Sequence, residues 1–268
     1  MRREELATVR GGRSNRELVV AQQLAQVRRG LPRPGRVLEV GCGKGELAAA
    51  LAAEGYRVTA IDPALPHDIM EVRGVHFLPL ALEAFTAAEP FDAVAFTASL
   101  HHVDHLGAAL DQAAAVLAPG GALIVDDFDL RAPDQATAHW YYELQELLAV
   151  ALIYDPARID ATAPTPVARW LAAHTHHAGP AAPDRTAVSG TIDREHHLHS
   201  GAAMIEAIEA RFDHVTVDGG PYLYRYISTG LRGPRAPVLA EAIRDAEQRR
   251  IDLGLMPPVG LQVSARRR

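Results

Sequence analysis

The chain has 268 residues, with 27 Lys and Arg against 33 Asp and Glu for a formal charge of −6, and is 48% hydrophobic and 22% charged. These values exclude a disordered or collagen-like chain, and a chain this long can bury a large core without disulfide or metal staples. The single cysteine, Cys42, cannot close an intrachain disulfide, the start MRREELATVRGGR is too charged for a signal-peptide core, and no run of 18 apolar residues occurs. A cytoplasmic protein without a membrane partner is expected. The mildly acidic balance argues against a nucleic-acid partner, although a local basic patch stays open. Only one basic residue is a lysine, Lys44, and the 13 histidines are the compositional feature with chemical meaning.

Residues 15–29 have helical spacing, broken by Gly30-Leu31-Pro32-Arg33-Pro34-Gly35. RVLEV (36–40) then reads as a strand, ELAAALAAEG (46–55) as a helix closed by Gly55, and RVTAI (57–61) as a strand stopped by Asp62-Pro63. Further strands are expected at 75–79, 92–96 and 121–127, with helices at 82–89 and 105–120 between them. This alternation implies crossover connections and a doubly wound parallel sheet covered on both faces.

Beyond Asp127 the pattern changes. An aromatic-rich helix is expected at 134–152, a Pro/Ala/Thr/His-rich stretch at 155–200 with one short helix at 166–173, and a helix at 201–212. HVTVDGGPYLYRYIS (214–228) reads as two strands about a Gly-Gly-Pro turn, and a charged helix at 236–252 leads to a basic tail. We read residues 1–268 as a single α/β domain. Its parts are an N-terminal helical lid (1–34), a core (35–127), an inserted cap (128–200), a closing helix, strand pair and last helix (201–252), and the tail (253–268).

The sharpest motif is Glu39-Val40-Gly41-Cys42-Gly43-Lys44-Gly45 between strand and helix. Glycines here let the backbone approach a ligand, and the helix N-terminus offers unpaired N–H groups. Asp62, 17 residues beyond Gly45, overlooks the same crevice and can accept both hydroxyls of a ribose; capping the following turn, with Pro63 next to it, is its other reading. A tight turn without ligand is the plain alternative for the glycine loop itself. A dinucleotide fingerprint would need glycine where Glu46 stands, and a glutamate there opposes a pyrophosphate, which disfavours a nicotinamide-dependent oxidoreductase.

The E-x-G-x-G-x-G form resembles the first motif of class I S-adenosylmethionine-dependent methyltransferases, and Asp62 matches their second-strand acid. Phe91 to Phe96 with Ser99-Leu100-His101-His102-Val103, and Leu117-Ala118-Pro119-Gly120-Gly121 before Ala122 to Val125, extend the resemblance over about residues 36–127. The appearance is nearest to the small-molecule type related to quinone biosynthesis. The resemblance implies a Rossmann-like, mostly parallel sheet with a final antiparallel strand, S-adenosylmethionine as cofactor and S-adenosylhomocysteine as product. It places Glu39 near the methionine amino group, Gly41, Cys42, Gly43 and Gly45 along the methionine and ribose, and Asp62 on the ribose diol, with Pro63 and Thr97 as further lining positions. Many relatives carry an aspartate after strand three to read adenine. Alanine stands in its apparent place here, leaving adenine to the backbone of Ala81 and Leu82 or to Glu83.

A hydroxyl acceptor must lose a proton on methylation, which favours a histidine near the crevice. His101 and His102, just past the fourth strand, are the candidates, and packed histidines bonded to backbone are the alternative. Trp140, Tyr141 and Glu143 can wall an acceptor pocket, or Trp140, Glu143-Leu144, Leu147-Leu148 and Leu152 can form the core face of an amphipathic helix. His174, His176 and His177, and His196, His197 and His199, lack the additional ligands of a recognisable metal site, so no metal is expected. Solvated loop histidines are the ordinary reading, with His197 or His199 closing over the acceptor as the functional one. The expected function is methyl transfer to a small-molecule acceptor. An RNA methyltransferase using the arginines of 242–268, and a non-catalytic S-adenosylmethionine-binding regulatory protein, are the rivals.

Overall fold

The computed structural model describes residues 15–129, 131–159, 165 and 198–268; the expected short helix at 166–173 lies outside them. The chain divides into two compact units, each gathered from separate stretches. One holds residues 20–129, 197–219 and 261–268, the other residues up to 19, 130–196 and 220–260. Among the described residues no helix is long and apolar enough to cross a membrane.

The first unit is built on a seven-stranded sheet of order β3-β2-β1-β4-β5-β7-β6. Its strands are β1 (Arg36–Val40), β2 (Arg57–Ile61), β3 (Val75–Leu78), β4 (Phe91–Thr97), β5 (Leu117–Phe128), β6 (Phe212–Gly220) and β7 (Gly260–Arg267). Strands β1 to β5 pair in parallel, with Glu39 of β1 level with Ala60 of β2 and Ala95 of β4. The order reverses at β1, where chain runs to β2 on one side and β4 lies on the other, so the carboxyl ends of β1 and β4 frame a crevice.

Successive side chains of the strands take opposite faces. Val37, Ala93, Ala95, Ala122 and Ile124 pack with Val27 of α1 (Asn15–Gly30) and with Leu47, Ala48 and Leu51 of α2 (Glu46–Ala53). Small residues on this face bring the helices close: a Cβ on Gly30 would stand 2.8 Å from Ile124 Cδ1. Gln26 adds a buried hydrogen bond of 2.7 Å from Nε2 to the Val125 carbonyl. From Val20 to Gly30, α1 is therefore a layer on the sheet rather than a lid. On the other face Leu38, Phe96, Leu123 and Val125 pack with Leu110 and Ala113 of α3 (Leu106–Val116) and with Met204 and Ile208 of α5 (Gly201–Glu209). Each buried leucine or phenylalanine of this kind contributes about 1.5–3 kcal/mol.

The second unit contains α4 (Gln135–Val150), α6 (Leu223–Gly230) and α7 (Ala236–Asp252). Its central polar contact is Glu247 of α7, which is fully buried. Its Oε1 accepts the N–H groups of Tyr222 and Leu223 at 2.7 and 2.9 Å, and its Oε2 that of Tyr224 at 2.8 Å. These are the donors that the start of α6 leaves without an intrahelical partner. Burial pushes the Glu247 carboxyl up, against the pull of those N–H groups.

Three expectations are corrected here. Residues 214–228 are not a strand pair: β6 ends at Gly220, and Leu223 to Gly230 are helical. The residues α6 buries (Leu223, Tyr224, Ile227, Ser228) follow helical spacing, and its cap comes from Glu247, a residue 23 to 25 positions away. The partner of β6 is instead the segment read as a tail. Asp213 meets Arg268, Thr216 meets Ser264 at 2.6 Å, and the backbone of Gly220 lies against Gly260, so β7 is antiparallel to β6. Leu261, Val263 and Ala265 alternate inward along it. The helix expected at 82–89 is reduced to a single 3₁₀ turn at Leu82–Ala84.

Replacing Glu247 with Ala leaves three buried donors without an acceptor. We expect Glu247→Ala to lose about 3 kcal/mol of stability in urea unfolding, with Glu247→Gln losing less; a loss below about 1 kcal/mol for the alanine variant would contradict the capping role.

Candidate functional site

β1 ends in three glycines because three different constraints meet there. Gly41 has φ +76°, and a Cβ on it would lie 2.4 Å from Ser99 Cβ, so the turn after β1 touches the turn after β4. Gly45, at φ +75°, would collide with the Phe77 ring at 2.5 Å. Gly43 has nothing within 4 Å of its Cβ position, which leaves open space over the loop at this residue. The main-chain N–H groups of Gly41 and Cys42 both donate to the Ile61 carbonyl, at 2.8 and 3.1 Å, tying the loop to the end of β2.

Two acids bound this loop. Glu39 is 2% exposed and accepts the N–H of Ala48 in the first turn of α2, while its Oε2 has no hydrogen-bond partner among the described residues. Burial, assisted by Glu46 and Asp62, pushes its carboxyl up to about 8. Asp62 is half-buried; its Oδ2 accepts the Gly43 N–H at 2.9 Å and its Oδ1 the Ala64 N–H at 2.7 Å. It thus caps the turn through Pro63 and braces the glycine loop at once, with carboxylate lone pairs to spare. Burial, then Glu39 and Asp62, push the Cys42 thiol up to about 12, which removes it as a nucleophile.

An orphaned buried carboxylate oxygen, open space over the glycine loop and a second acid fit a ligand carrying an ammonium group and a further positive centre. S-Adenosylmethionine, with its ammonium and sulfonium, has that chemistry. Glu39, the Gly41–Gly45 backbone and Asp62 are the residues that would hold it. Of the adenine candidates, Leu82 commits its side chain to the core at 3% exposure, Ala81 opens the 3₁₀ turn in extended conformation, and Glu83 is exposed.

The turn after β4 carries both candidate bases. Thr97 pairs with Asp126 in the sheet and is half-buried. Ala98 sits at φ +53°, its N–H donating to the Asp126 carbonyl at 2.7 Å. Ser99 Oγ donates to the Val40 carbonyl at 2.6 Å. His101 is 3% exposed, with Nδ1 2.6 Å from Oδ1 of the fully buried Asp127; His102 is exposed. His199 is brought to this turn: its N–H donates to the His101 carbonyl at 3.0 Å, and its Nε2 lies 2.7 Å from the Val103 carbonyl. Sequence reading missed Asp127 and Ser99. A doubled acid closing the apolar strand GALIVDD was the available signal for Asp127.

Trp140, Tyr141 and Glu143 lie on α4 in the other unit. Trp140 is buried with the Arg250 guanidinium 6.0 Å from its ring, Tyr141 packs edge-on to Tyr142, and Glu143 is exposed with Oε1 3.3 Å from His139 Nδ1. Burial pushes the Tyr141 phenol up. The inward face of α4 is Trp140, Tyr142, Gln145 and Leu148, whereas Leu147 and Leu152, expected inside, are exposed at 68% and 88%; Leu152 turns out of the helix at φ +59°. His174, His176, His177, His196 and His197 lie outside the described residues, within which no group of three His, Cys, Asp or Glu is placed to hold a metal.

The family described as "Methyltransferase domain" matches residues 13–154. A ubiquinone biosynthesis O-methyltransferase of Xylella fastidiosa is 42% identical over 101 residues, covering 34% of this chain and 40% of that protein. An uncharacterized methyltransferase of Mycobacterium tuberculosis is 39% identical over 98 residues, covering 34% and 50%. The matched part therefore spans half or less of these curated relatives. Among solved structures, a possible histamine N-methyltransferase of Thermotoga maritima superposes with TM-score 0.51 at 15% identity, covering 95% of this chain and 91% of that one. The 1,6-didemethyltoxoflavin-N1-methyltransferase of Burkholderia thailandensis, with bound S-adenosylhomocysteine, gives 0.50 at 17%, covering 93% and 78%. Those two likenesses show the fold.

Because the Glu39 carboxyl lies near 8 in the fold and near its ordinary value when unfolded, the folded state holds a proton that the unfolded state releases. The associated stability is complete below about pH 4.5 and is lost as pH rises through about 8. Glu39→Gln removes this dependence, so the melting temperature of the ligand-free variant should gain on the wild type between pH 5 and pH 8.5. A gap that stays constant across that range would refute the assignment.

Proposed function

The chain belongs to this methyltransferase family, and on that premise we propose that it transfers a methyl group from S-adenosylmethionine to a small-molecule acceptor by in-line displacement. The observation that carries the reading is the unpartnered Oε2 of buried Glu39 with the open space over the loop at Gly43. When bound, the cofactor supplies a methyl carbon on positively charged sulfur and leaves as S-adenosylhomocysteine. Glu39 binds the ammonium, Asp62 the ribose hydroxyls, and the backbone of Gly41, Cys42 and Gly43 the chain between them. Pro63 and Thr97 line the site, and Ala81, Leu82 and Glu83 serve adenine through main chain or carboxylate.

The protein's remaining work is to orient the acceptor, exclude water and remove a proton. The adjoining pair His101 and His102 is assigned to proton removal, with the exposed His102 on the acceptor side, and Trp140, Tyr141, Glu143, His197 and His199 to acceptor binding, with residues 128–200 as the acceptor cap of a single methyltransferase domain. The fastening of His199 to the His101–Val103 backbone supports its place on that side. A cytoplasmic setting is supported by the lone Cys42, buried and unable to pair within the chain.

What favours a small acceptor over RNA is the use made of the C-terminal arginines. Arg266 donates to the Gly30 carbonyl, Arg267 to the Leu117 carbonyl, and Arg268 to Asp213 and the Ala210 and Glu209 carbonyls. They hold β7 in the sheet. A regulatory role without turnover is separated from catalysis by transfer of labelled methyl from S-adenosylmethionine to a panel of small phenols and amines.

Calorimetry with S-adenosylhomocysteine tests the cofactor assignment. We expect binding by the wild type that tightens by up to about tenfold per pH unit as pH rises toward 8, because the Glu39 carboxylate must ionise to meet the ammonium. Asp62→Ala should weaken binding by at least about tenfold with an unchanged melting profile. Absence of binding by the folded wild type rejects the reading, and unchanged affinity in Asp62→Ala rejects the ribose role.

A further inference from the structure

The turn Ala98–Val103 is held from three directions. Ser99 ties it to the end of β1 through the Val40 carbonyl. His199 ties its far end through the His101 and Val103 carbonyls. Asp127, at the end of β5, holds its middle. A left-handed alanine such as Ala98 persists only where the surroundings over-determine the backbone, and these three contacts do so.

We infer that the buried carboxylate of Asp127 is a positioning group: it orients His101 and, through the ring of His101, sets the exposed His102 as the proton acceptor of the transfer site. This rests on the methyltransferase reading above. One carboxylate meets both the ring and the chain that bears it: Oδ1 lies 2.6 Å from Nδ1 of His101, a close ion-pair contact outside hydrogen-bond alignment, and Oδ2 accepts the His101 main-chain N–H at 3.2 Å. A carboxylate facing Nδ1 selects the tautomer protonated there. His101 itself is too deeply buried to reach an acceptor, at 3% exposure. Its ring meets Phe128 edge-on at 4.6 Å and the tilted ring of His102 at 3.9 Å between centroids. His102 is the member of the pair that is exposed.

A negative charge behind the pair favours the protonated form of the outer ring. The other titratable groups on the packed elements are Asp126 and Asp129 at the end of β5, His199, and Asp104 and His105 along the same turn. For an acceptor whose nucleophilic atom carries a proton, the lone pair of that atom forms the bond to the methyl carbon. The carbon–sulfur bond breaks with its pair left on sulfur, and the acceptor's proton passes to His102 and on to water.

The test needs no acceptor. In the full chain labelled with ¹⁵N-histidine, long-range proton–nitrogen spectra should show His101 protonated on Nδ1, and Asp127→Asn should move the proton to Nε2, since the amide can donate to Nδ1. Acylation of His102 by diethyl pyrocarbonate at pH 9, where wild type and variant both present the neutral ring, read by peptide mass spectrometry, should slow about threefold in Asp127→Asn, because the ring loses basicity with the charge behind it. Mere loosening of the turn would expose the ring and speed the reaction. A wild-type His101 protonated on Nε2, a tautomer unchanged in the variant, or acylation of His102 that is unchanged or faster would each overturn the proposal. If Asp127→Asn does not fold, the wild-type tautomer decides, together with Asp127→Glu, which keeps the charge and should keep both readouts. Failure of S-adenosylhomocysteine to bind the wild type would instead strike the methyltransferase reading, and the ring measurements remain separate from it.

Discussion

The contact on which the first unit depends is the approach of the turn after β1 to the turn after β4. A Cβ at Gly41 would stand 2.4 Å from that of Ser99, and the Ser99 hydroxyl closes the gap by donating to the Val40 carbonyl. Parallel pairing of β1 with β4 brings the two turns to one end of the sheet, but only a residue without a side chain lets them meet. Once they meet, the glycine loop and the turn that carries the two histidines share a fixed geometry. The site is set by the sheet rather than by flexible loops, which is the condition for holding reacting groups within a fraction of an ångström.

Burying a carboxylate without a full set of partners opposes folding. Glu39 meets this by holding its proton, since burial raises its carboxyl to about 8, and by accepting the Ala48 N–H at the start of α2. A ligand bearing an ammonium group would supply the partner that Glu39 Oε2 lacks among the described residues. Asp62 differs because it is half-buried and already engaged with two backbone donors, so it shapes the loop before any ligand arrives. The same residue types thus divide the work, one acid providing unmet bonding capacity and the other preorganisation.

The arginines at the chain's end show how charge can serve the fold. Three of them bond to carbonyls or to Asp213 around the last strands, so a basic run that reads as a polyanion surface belongs to a strand held between β5 and β6. Glu247 is comparable in the second unit, where one carboxylate takes three donors at the start of α6. Both are long-range contacts in sequence, and both decided elements that local pattern misjudged.

Read alone, the sequence determined the parallel core and the place of the glycine loop at the end of its first strand. Strands 36–40 and 57–61 and the helix 236–252 have the bounds their patterns indicated, because apolar runs and glycine breaks are local signals. The glycine loop, Glu39 and Asp62 stood out because their spacing is itself the motif. Tertiary structure alone decided that Leu223 to Gly230 coil into a helix, that the arginine-rich end is a strand, and that Asp127 lies behind His101. It also separated the two histidines, which are neighbours in sequence yet one is buried and the other exposed. Those outcomes turn on partners 23 or more residues distant, such as Glu247 for α6 and β6 for β7, and a local pattern carries no record of which distant group will satisfy a donor or cover a face.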